Sequence, residues 1–147
     1  MRLLITGGAG FIGSNLIRYI LAKYPDYKIV NLDKLSYCGN LENLKDIKTN
    51  PNYSFVKGDI CEPKIVDRTI RDVDVVINMA AETHVDRSIA DASSFIKTNV
   101  FGTYVLLEAA RKRSIKLFLQ ISTDEAYGSI PEGSFKETDR LAPSSPY

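Results

Sequence analysis

The chain has 147 residues, of which 44% are hydrophobic and 25% charged, as is ordinary for one soluble globular domain with a buried core. Its formal net charge of +1 gives no electrostatic reason to expect nucleic acid or a membrane surface as a partner. The only histidine, His84, leaves little from which to build a His-rich metal site or a Ser-His-Asp triad, so no metal is expected.

An uncharged stretch over 3–17 is too short to span a membrane, and no small-residue cleavage site follows it. The two cysteines, Cys38 and Cys61, are too far apart in sequence for a C-x-x-C pair, which suggests free thiols. These features predict a cytoplasmic protein.

A buried strand is predicted over 2–6, and it leads directly into a glycine-rich turn followed by apolar residues at helical spacing. In this turn Gly7 suits a tight bend, Gly10 lets the backbone approach a pyrophosphate, and Gly13 lets the helix pack closely on the strand. The free N–H groups and positive dipole end of the helix would bind the phosphates. The spacing is not the G-x-G-x-x-G fingerprint, so the glycines alone are weak evidence.

The second predicted strand, 28–32, ends in Asp33, which lies 20 residues after Gly13. An acidic residue at about this distance is expected to hydrogen-bond the ribose 2′-hydroxyl of NAD. Asp33 would repel the 2′-phosphate of NADP, although Lys34 beside it keeps NADP from being excluded. NAD is therefore the favoured cofactor.

Two further strands end in residues suited to the same site. The strand over 53–57 is followed by Asp59, and the strand over 74–78 by Met79-Ala80-Ala81, whose small side chains leave room for a cofactor. Strand and helix alternate five times, which predicts an α/β fold with a Rossmann-type, doubly wound parallel sheet. Asp33, Asp59 and Ala81 should then lie at one edge of that sheet.

The longest helix is predicted over about 95–111, with one apolar face formed by Ile96, Val100, Tyr104 and Leu107. Asn99 lies beside this face and needs a polar partner. A hydrogen bond to a neighbouring backbone and a direct catalytic role are equally open for it.

A fifth strand, over 116–122, ends in Thr123-Asp124-Glu125. Two neighbouring carboxyls in unequal surroundings can divide into an acid and a base, and at the end of a parallel strand they would face the substrate. The alternative is a polar junction between a strand and a loop. The other strand ends favour the acid/base interpretation.

After Gly128 the composition becomes rich in proline and serine, which predicts a surface loop over 129–147. Ser145 is a suitable helix N-cap and Pro146 suits the first helical position, so Tyr147 would lie in the first turn of an unfinished helix. We therefore expect an incomplete NAD-binding domain over 1–147, a fragment of a longer protein.

With these motifs in place, the chain resembles the N-terminal part of the extended short-chain dehydrogenase/reductases, and among them most closely the dTDP-glucose 4,6-dehydratases. The resemblance covers nearly the whole chain. It is carried by the glycine turn, the Asp33 segment, the Thr-Asp-Glu triplet and two runs, Ala80-Ala81-Glu82-Thr83-His84-Val85-Asp86-Arg87-Ser88 and Pro143-Ser144-Ser145-Pro146-Tyr147.

The resemblance implies contacts with NAD along four strand ends and the long helix. The residues concerned, besides the three turn glycines, are Phe11, Ile12, Asp33, Lys34, Leu35, Ser36, Asp59, Ile60, Met79, Ala80, Ala81, Glu82, Thr83 and Thr98. It also implies that Thr83 and Thr123 contact the sugar of a nucleotide-sugar substrate, and that the full-length protein is a homodimer.

The resemblance further implies three proton-transfer roles. Tyr147 matches the tyrosine of a Tyr-x-x-x-Lys motif and would take the proton of the sugar 4-hydroxyl. Glu125 would remove the proton at carbon 5, and Asp124 would protonate the departing 6-hydroxyl. The motif lysine would follow Tyr147 by four residues and is not in the chain, so the fragment is expected to be inactive alone.

Two other functions remain open at this point. The chain could belong to another nucleotide-sugar epimerase or dehydratase of the same family, which the Asp124-Glu125 pair disfavours. It could also be a catalytically silent NAD-binding module, for which the absence of the motif lysine and of a substrate domain is the evidence.

Overall fold

The computed structural model describes all residues, 1–147, and has a five-stranded parallel sheet at its centre. The strands are β1 (Arg2–Thr6), β2 (Lys28–Asp33), β3 (Tyr53–Lys57), β4 (Val75–Asn78) and β5 (Leu117–Gln120), in the order β3-β2-β1-β4-β5. All five predicted strands are present, with small differences at the ends of β4 and β5. The order is that of a Rossmann fold, so the predicted fold class is confirmed.

The helices connect consecutive strands. They are α1 (Phe11–Lys23), α2 (Pro63–Thr69), α3 (Val85–Ala90) and a long helix made of α4 (Ser93–Phe95), a π-helical segment (Ile96–Gly102) and α5 (Thr103–Lys112). A 3-10 helix, Leu41–Ile47, replaces an α-helix between β2 and β3. The structure contains no helix that could span a lipid bilayer.

The core forms on both faces of the sheet because successive residues of a strand point to opposite sides. In β1, Leu4 packs with Val76 and with Leu106 of α5 on one face. Leu3 and Ile5 pack on the other face, against α1. Helices therefore cover both faces, as the runs of apolar residues in the strands predict.

The long helix differs from its prediction in orientation and in regularity. The predicted apolar face is exposed to solvent along its whole length, at Ile96, Val100, Tyr104 and Leu107. The core instead receives the other side of the helix, through Phe95, Thr98, Gly102, Val105, Leu106 and Ala110. Because both sides carry apolar residues, spacing alone could not decide which side is buried.

The last part of the chain, 127–147, has no helix or strand. The predicted helix start at Ser145 is not observed: its hydroxyl donates a hydrogen bond to Glu125 instead of capping a helix.

Candidate cofactor and active site

A cleft of about 390 Å³ lies at the carboxyl ends of the strands, where ligands bind in folds of this type. Most of the predicted site residues line it together: Gly7, Gly10, Phe11, Ile12, Gly13, Asp33, Lys34, Ser36, Asp59, Ile60, Met79, Ala80, Ala81, Thr83, Thr98 and Tyr147. The strand ends therefore meet at one edge, as the sequence predicts.

The turn between β1 and α1 can be built only with small residues. Gly7 has a φ of +69°, which a residue with a side chain rarely adopts. A Cβ at Gly13 would lie 2.4 Å from the carbonyl oxygen of Gly7, so the first turn of α1 packs directly on the glycine turn. The role predicted for Gly13 is thus fulfilled against the turn rather than against the strand.

The first turn of α1 presents unpaired donors to the cleft. The backbone N–H groups of Phe11, Ile12 and Gly13 have no acceptor within the protein, and Gly10 provides no side-chain cap. Phe11 and Ile12 line the cleft, and the two residues are 81% and 65% exposed. Free N–H groups at the positive end of a helix dipole fit the pyrophosphate of a dinucleotide.

Asp33 is fixed at the end of β2 by two backbone donors. One carboxylate oxygen accepts a hydrogen bond from the N–H of Ala9 at 2.9 Å, and the other accepts from the N–H of Leu35 at 2.8 Å. Leu35 has a φ of +57°, and the bond to Asp33 stabilises this uncommon conformation. The carboxylate therefore lies beside the glycine turn, where it can accept from a ribose diol.

Lys34 reaches from the end of β2 to the far wall of the cleft. Its ammonium lies 2.9 Å from a carboxylate oxygen of Glu82 and 3.3 Å from the hydroxyl of Thr98. The backbone of Glu82 is in turn held by Asn99, whose side chain accepts from the Glu82 N–H and donates to its carbonyl. Asn99 thus has the backbone role, one of the two that the sequence leaves open.

A second set of contacts joins the loops after β2 and β4. The hydroxyl of Tyr37 lies 2.6 Å from that of Thr83, and the guanidinium of Arg87 lies 4.3 Å from the centre of the Tyr37 ring. His84, next to Thr83, has a φ of +80°. Uncommon backbone conformations of this kind often occur at ligand sites, where the surrounding structure enforces them.

The Thr123-Asp124-Glu125 triplet forms the start of a short 3-10 helix, Asp124–Ala126, just beyond β5. Thr123 caps it by accepting from the N–H of Glu125 at 3.2 Å. Asp124 is exposed and Glu125 is half-buried, so the two carboxyls have unequal surroundings. Glu125 accepts a hydrogen bond from Ser145, which brings the carboxylate into the same corner as the segment that carries Tyr147.

Tyr147 lines the cleft and packs edge-on against the buried ring of Phe95, with the ring centres 5.9 Å apart. Five predicted site residues do not line the cleft, namely Leu35, Glu82, Thr123, Asp124 and Glu125. Leu35 packs against the core, and Glu82 acts on the cleft through Lys34. The triplet lies next to the cleft, beyond Ile121 and Ser122 of its wall.

Several lining residues were not predicted from the residue pattern. They are Leu32, Tyr37, Cys38, Gly39, Gly58, His84, Ile121 and Ser122. Most of them directly adjoin a predicted site residue, so proximity to a strand end is the sequence signal that they share. Nothing in the local sequence indicates that Tyr37 contacts Thr83, because the two are 46 residues apart.

The family model for GDP-mannose 4,6 dehydratase matches residues 4–147. The chain belongs to this family. Among its curated relatives, the low-salt glycan biosynthesis protein Agl12 of Haloferax volcanii is 53% identical, and a dTDP-glucose 4,6-dehydratase of Streptomyces niveus is 51% identical. Both alignments cover 100% of the chain but only 47% and 45% of the relatives, so the chain spans about half the length of the relatives it matches.

Solved structures of similar proteins have the same fold. DesIV of Streptomyces venezuelae, a dTDP-glucose 4,6-dehydratase crystallised with NAD, has a TM-score of 0.95 and 49% identity, over 100% of this chain and 47% of its own. A UDP-glucose 4-epimerase of Thermus thermophilus, also in complex with NAD, has a TM-score of 0.87 and 34% identity, over 100% of this chain and 46% of its own. The dehydratase is therefore more similar to this chain than the epimerase, in sequence and in structure.

Proposed function

We propose that the chain is the NAD-binding half of a dTDP-glucose 4,6-dehydratase, which converts its substrate to a 4-keto-6-deoxy sugar. The observation that carries this proposal is the cleft itself. It combines the free amides of α1, the fixed carboxylate of Asp33 and the ring of Tyr147, and the acidic triplet adjoins it. The similarity to dehydratases that bind NAD supports the same assignment.

The residues of the chain divide between binding and proton transfer. The α1 amides bind the pyrophosphate of NAD, and Asp33 binds the adenosine ribose. When bound, NAD supplies the redox chemistry by accepting a hydride from the sugar and returning it later in the cycle. Thr83 and Thr123 contact the sugar.

Three side chains move protons. Tyr147 takes the proton of the 4-hydroxyl as that carbon is oxidised to a ketone. The ketone acidifies the neighbouring carbon 5, so the carboxylate of Glu125 can remove the proton there. Asp124 donates a proton to the 6-hydroxyl, which leaves as water, and a double bond forms between carbons 5 and 6. Glu125, protonated by the earlier step, returns a proton to carbon 5 as carbon 6 is reduced.

The division of roles predicts different failures for two variants. The test uses a hybrid in which residues 1–147 are continued by the C-terminal part of the Streptomyces niveus relative, because the chain covers only 45% of that relative. Glu125→Gln should still reduce bound NAD once and then stop at the 4-keto sugar. Tyr147→Phe should slow that first reduction by about 10²–10⁴-fold, the usual scale for general acid–base catalysis.

Absorbance of NADH after one rapid mixing with dTDP-glucose distinguishes the two variants. Loss of NAD reduction in Glu125→Gln as complete as in Tyr147→Phe would show that Glu125 does not serve elimination. The same hybrid mixed with UDP-glucose tests the epimerase alternative. A chain that binds NAD but gives a hybrid inactive on both sugars would support the silent-module alternative.

Two further features of the whole protein remain proposals. A homodimer is supported by the exposed apolar face of the long helix, formed by Ile96, Val100, Tyr104 and Leu107. Sedimentation of the wild type and of a Val100→Glu variant would test it. A cytoplasmic location is supported by two cysteines that form no disulfide.

A further inference from the structure

Lys34 is the only lysine or arginine that lines the cleft, and it follows Asp33 directly in the chain. If the ribose of a dinucleotide binds at Asp33, a 2′-phosphate on that ribose would be placed close to this carboxylate. NADP would then depend on a nearby cation, because a phosphate is stabilised by lysine or arginine. The position of the Lys34 ammonium therefore bears on which dinucleotide the cleft accepts.

The ammonium is already paired. It lies 2.9 Å from Glu82, whose side chain is only 8% exposed, and 3.3 Å from the hydroxyl of Thr98. A buried carboxylate keeps its partner because an unpaired charge away from water is costly. Glu82 cannot easily follow a moving lysine, since Asn99 fixes its backbone through both the N–H and the carbonyl.

The charges around the cleft add to the same effect. Burial lowers the pKa of Lys34, but the hydrogen bond and charge of Glu82, together with Asp59, outweigh it and leave this pKa above its ordinary value. The lysine therefore stays charged at neutral pH and bound to its carboxylate. Two carboxylates, Asp33 and Asp59, line the cleft with this single lysine, and the lysine is already paired with Glu82 behind the wall, so the surroundings disfavour an added phosphate.

We infer that Glu82 is a positioning residue for cofactor selectivity, which acts by keeping the Lys34 ammonium on the β4 side of the cleft. A 2′-phosphate entering beside Asp33 then meets a carboxylate without a free cation, and NAD is preferred over NADP. This inference deepens the proposed function and rests on it. Lys34, which from its sequence position could admit NADP, is thus held away from the phosphate by Glu82.

The test is the ratio of the NADP and NAD dissociation constants, measured by calorimetric titration of the 147-residue chain. Glu82→Gln keeps the size of the side chain and removes its charge, so it should free Lys34 and lower this ratio about tenfold, the scale of one hydrogen bond to a charged group. The double variant Lys34→Met with Glu82→Gln should return the ratio to within about twofold of the wild type. Glu108→Gln, which removes a carboxylate on α5 that is paired with Arg111 outside the cleft, is the control and should leave the ratio unchanged.

A merely structural role of Glu82 would weaken both cofactors equally and leave the ratio constant, which would overturn the inference. A ratio that stays about tenfold lower in the double variant would also overturn the inference, because Lys34 would then play no part in binding the phosphate. If Glu82→Gln does not fold, the double variant still tests the inference. If it binds NADP more weakly than the wild type does, Lys34 contacts the 2′-phosphate in the wild type, and the inference is wrong. A wild-type chain that binds neither cofactor would instead refute the proposed function, and the inference with it.

Discussion

Replacing Asp33 tests the cofactor site most directly, because this carboxylate serves the turn and the expected ribose contact together. In Asp33→Ala, NAD should lose a hydrogen bond to a charged group, which is worth about 1.5–3 kcal/mol. Because each 1.4 kcal/mol is a factor of ten, the dissociation constant for NAD should rise roughly 10- to 150-fold. NADP should lose less, since the same substitution removes the repulsion of its 2′-phosphate.

The same substitution should also destabilise the fold. The Ala9 and Leu35 N–H groups lose their carboxylate acceptor, and Leu35 keeps its uncommon φ of +57° without support. We expect a loss of about 1–3 kcal/mol in the free energy of unfolding, the cost of leaving buried donors unpaired. Asp33→Asn is the matched control, because its amide oxygen can still accept from one of the two donors, so both losses should be smaller.

The assay combines calorimetric titration of NAD and NADP with urea unfolding of the same samples. An Asp33→Ala variant that is destabilised as expected but binds NAD within about twofold of the wild type would refute the ribose contact. Equal wild-type affinity for the two dinucleotides would refute the selectivity argument.

Two other perturbations test the turn and the thiols. In urea unfolding, Gly13→Ala should lower the free energy of unfolding by about 1–3 kcal/mol, because its Cβ would lie 2.4 Å from the Gly7 carbonyl oxygen. Gly10→Ala should lower it less, because a Cβ at Gly10 would lie 3.3 Å from the same oxygen. Equal losses would contradict the packing argument. Iodoacetamide at pH 8 should label the exposed Cys38 and spare the buried Cys61. Burial, and then the hydrogen bond and charge of Asp59, raise the pKa of Cys61 to about 11. Cys61 therefore stays an unreactive thiol at this pH. NAD should slow the labelling of Cys38, which lines the cleft, and mass spectrometry of the alkylated chain would show both effects.

The sheet could be predicted from sequence because its signals are local. Short apolar runs ending in glycine or aspartate mark buried parallel strands, and the rules of parallel topology then bring their ends to one edge. Asp33 and Asp59 lie in one cleft for this reason. The exposed side of the long helix could not be predicted in the same way, because Val100 and Val105 are both apolar and only the packed structure separates them.

The pairings across the cleft were also beyond local reasoning. Lys34 and Glu82 are 48 residues apart, and their contact depends on the lengths of the loops after β2 and β4. Because Lys34 follows Asp33, its sequence position suggests that it contacts the cofactor. In the structure its ammonium instead donates a hydrogen bond to Glu82. For Asn99 the sequence indicated that a polar partner was needed, but only the fold identifies that partner as the backbone of Glu82.

The loops that form the cleft are joined to one another by hydrogen bonds within the chain. Asp33 binds the glycine turn, the hydroxyl of Thr6 accepts from the N–H of Ala80, and Asn99 binds the backbone of Glu82. A site that is ordered by its own hydrogen bonds loses little conformational entropy when a ligand binds. More of the free energy of each ligand contact then contributes to the affinity. Substitutions that cut these internal bonds should therefore weaken NAD binding even where the side chain does not touch the cofactor. Asn99, which does not line the cleft, is the residue at which this effect can be separated from direct contact.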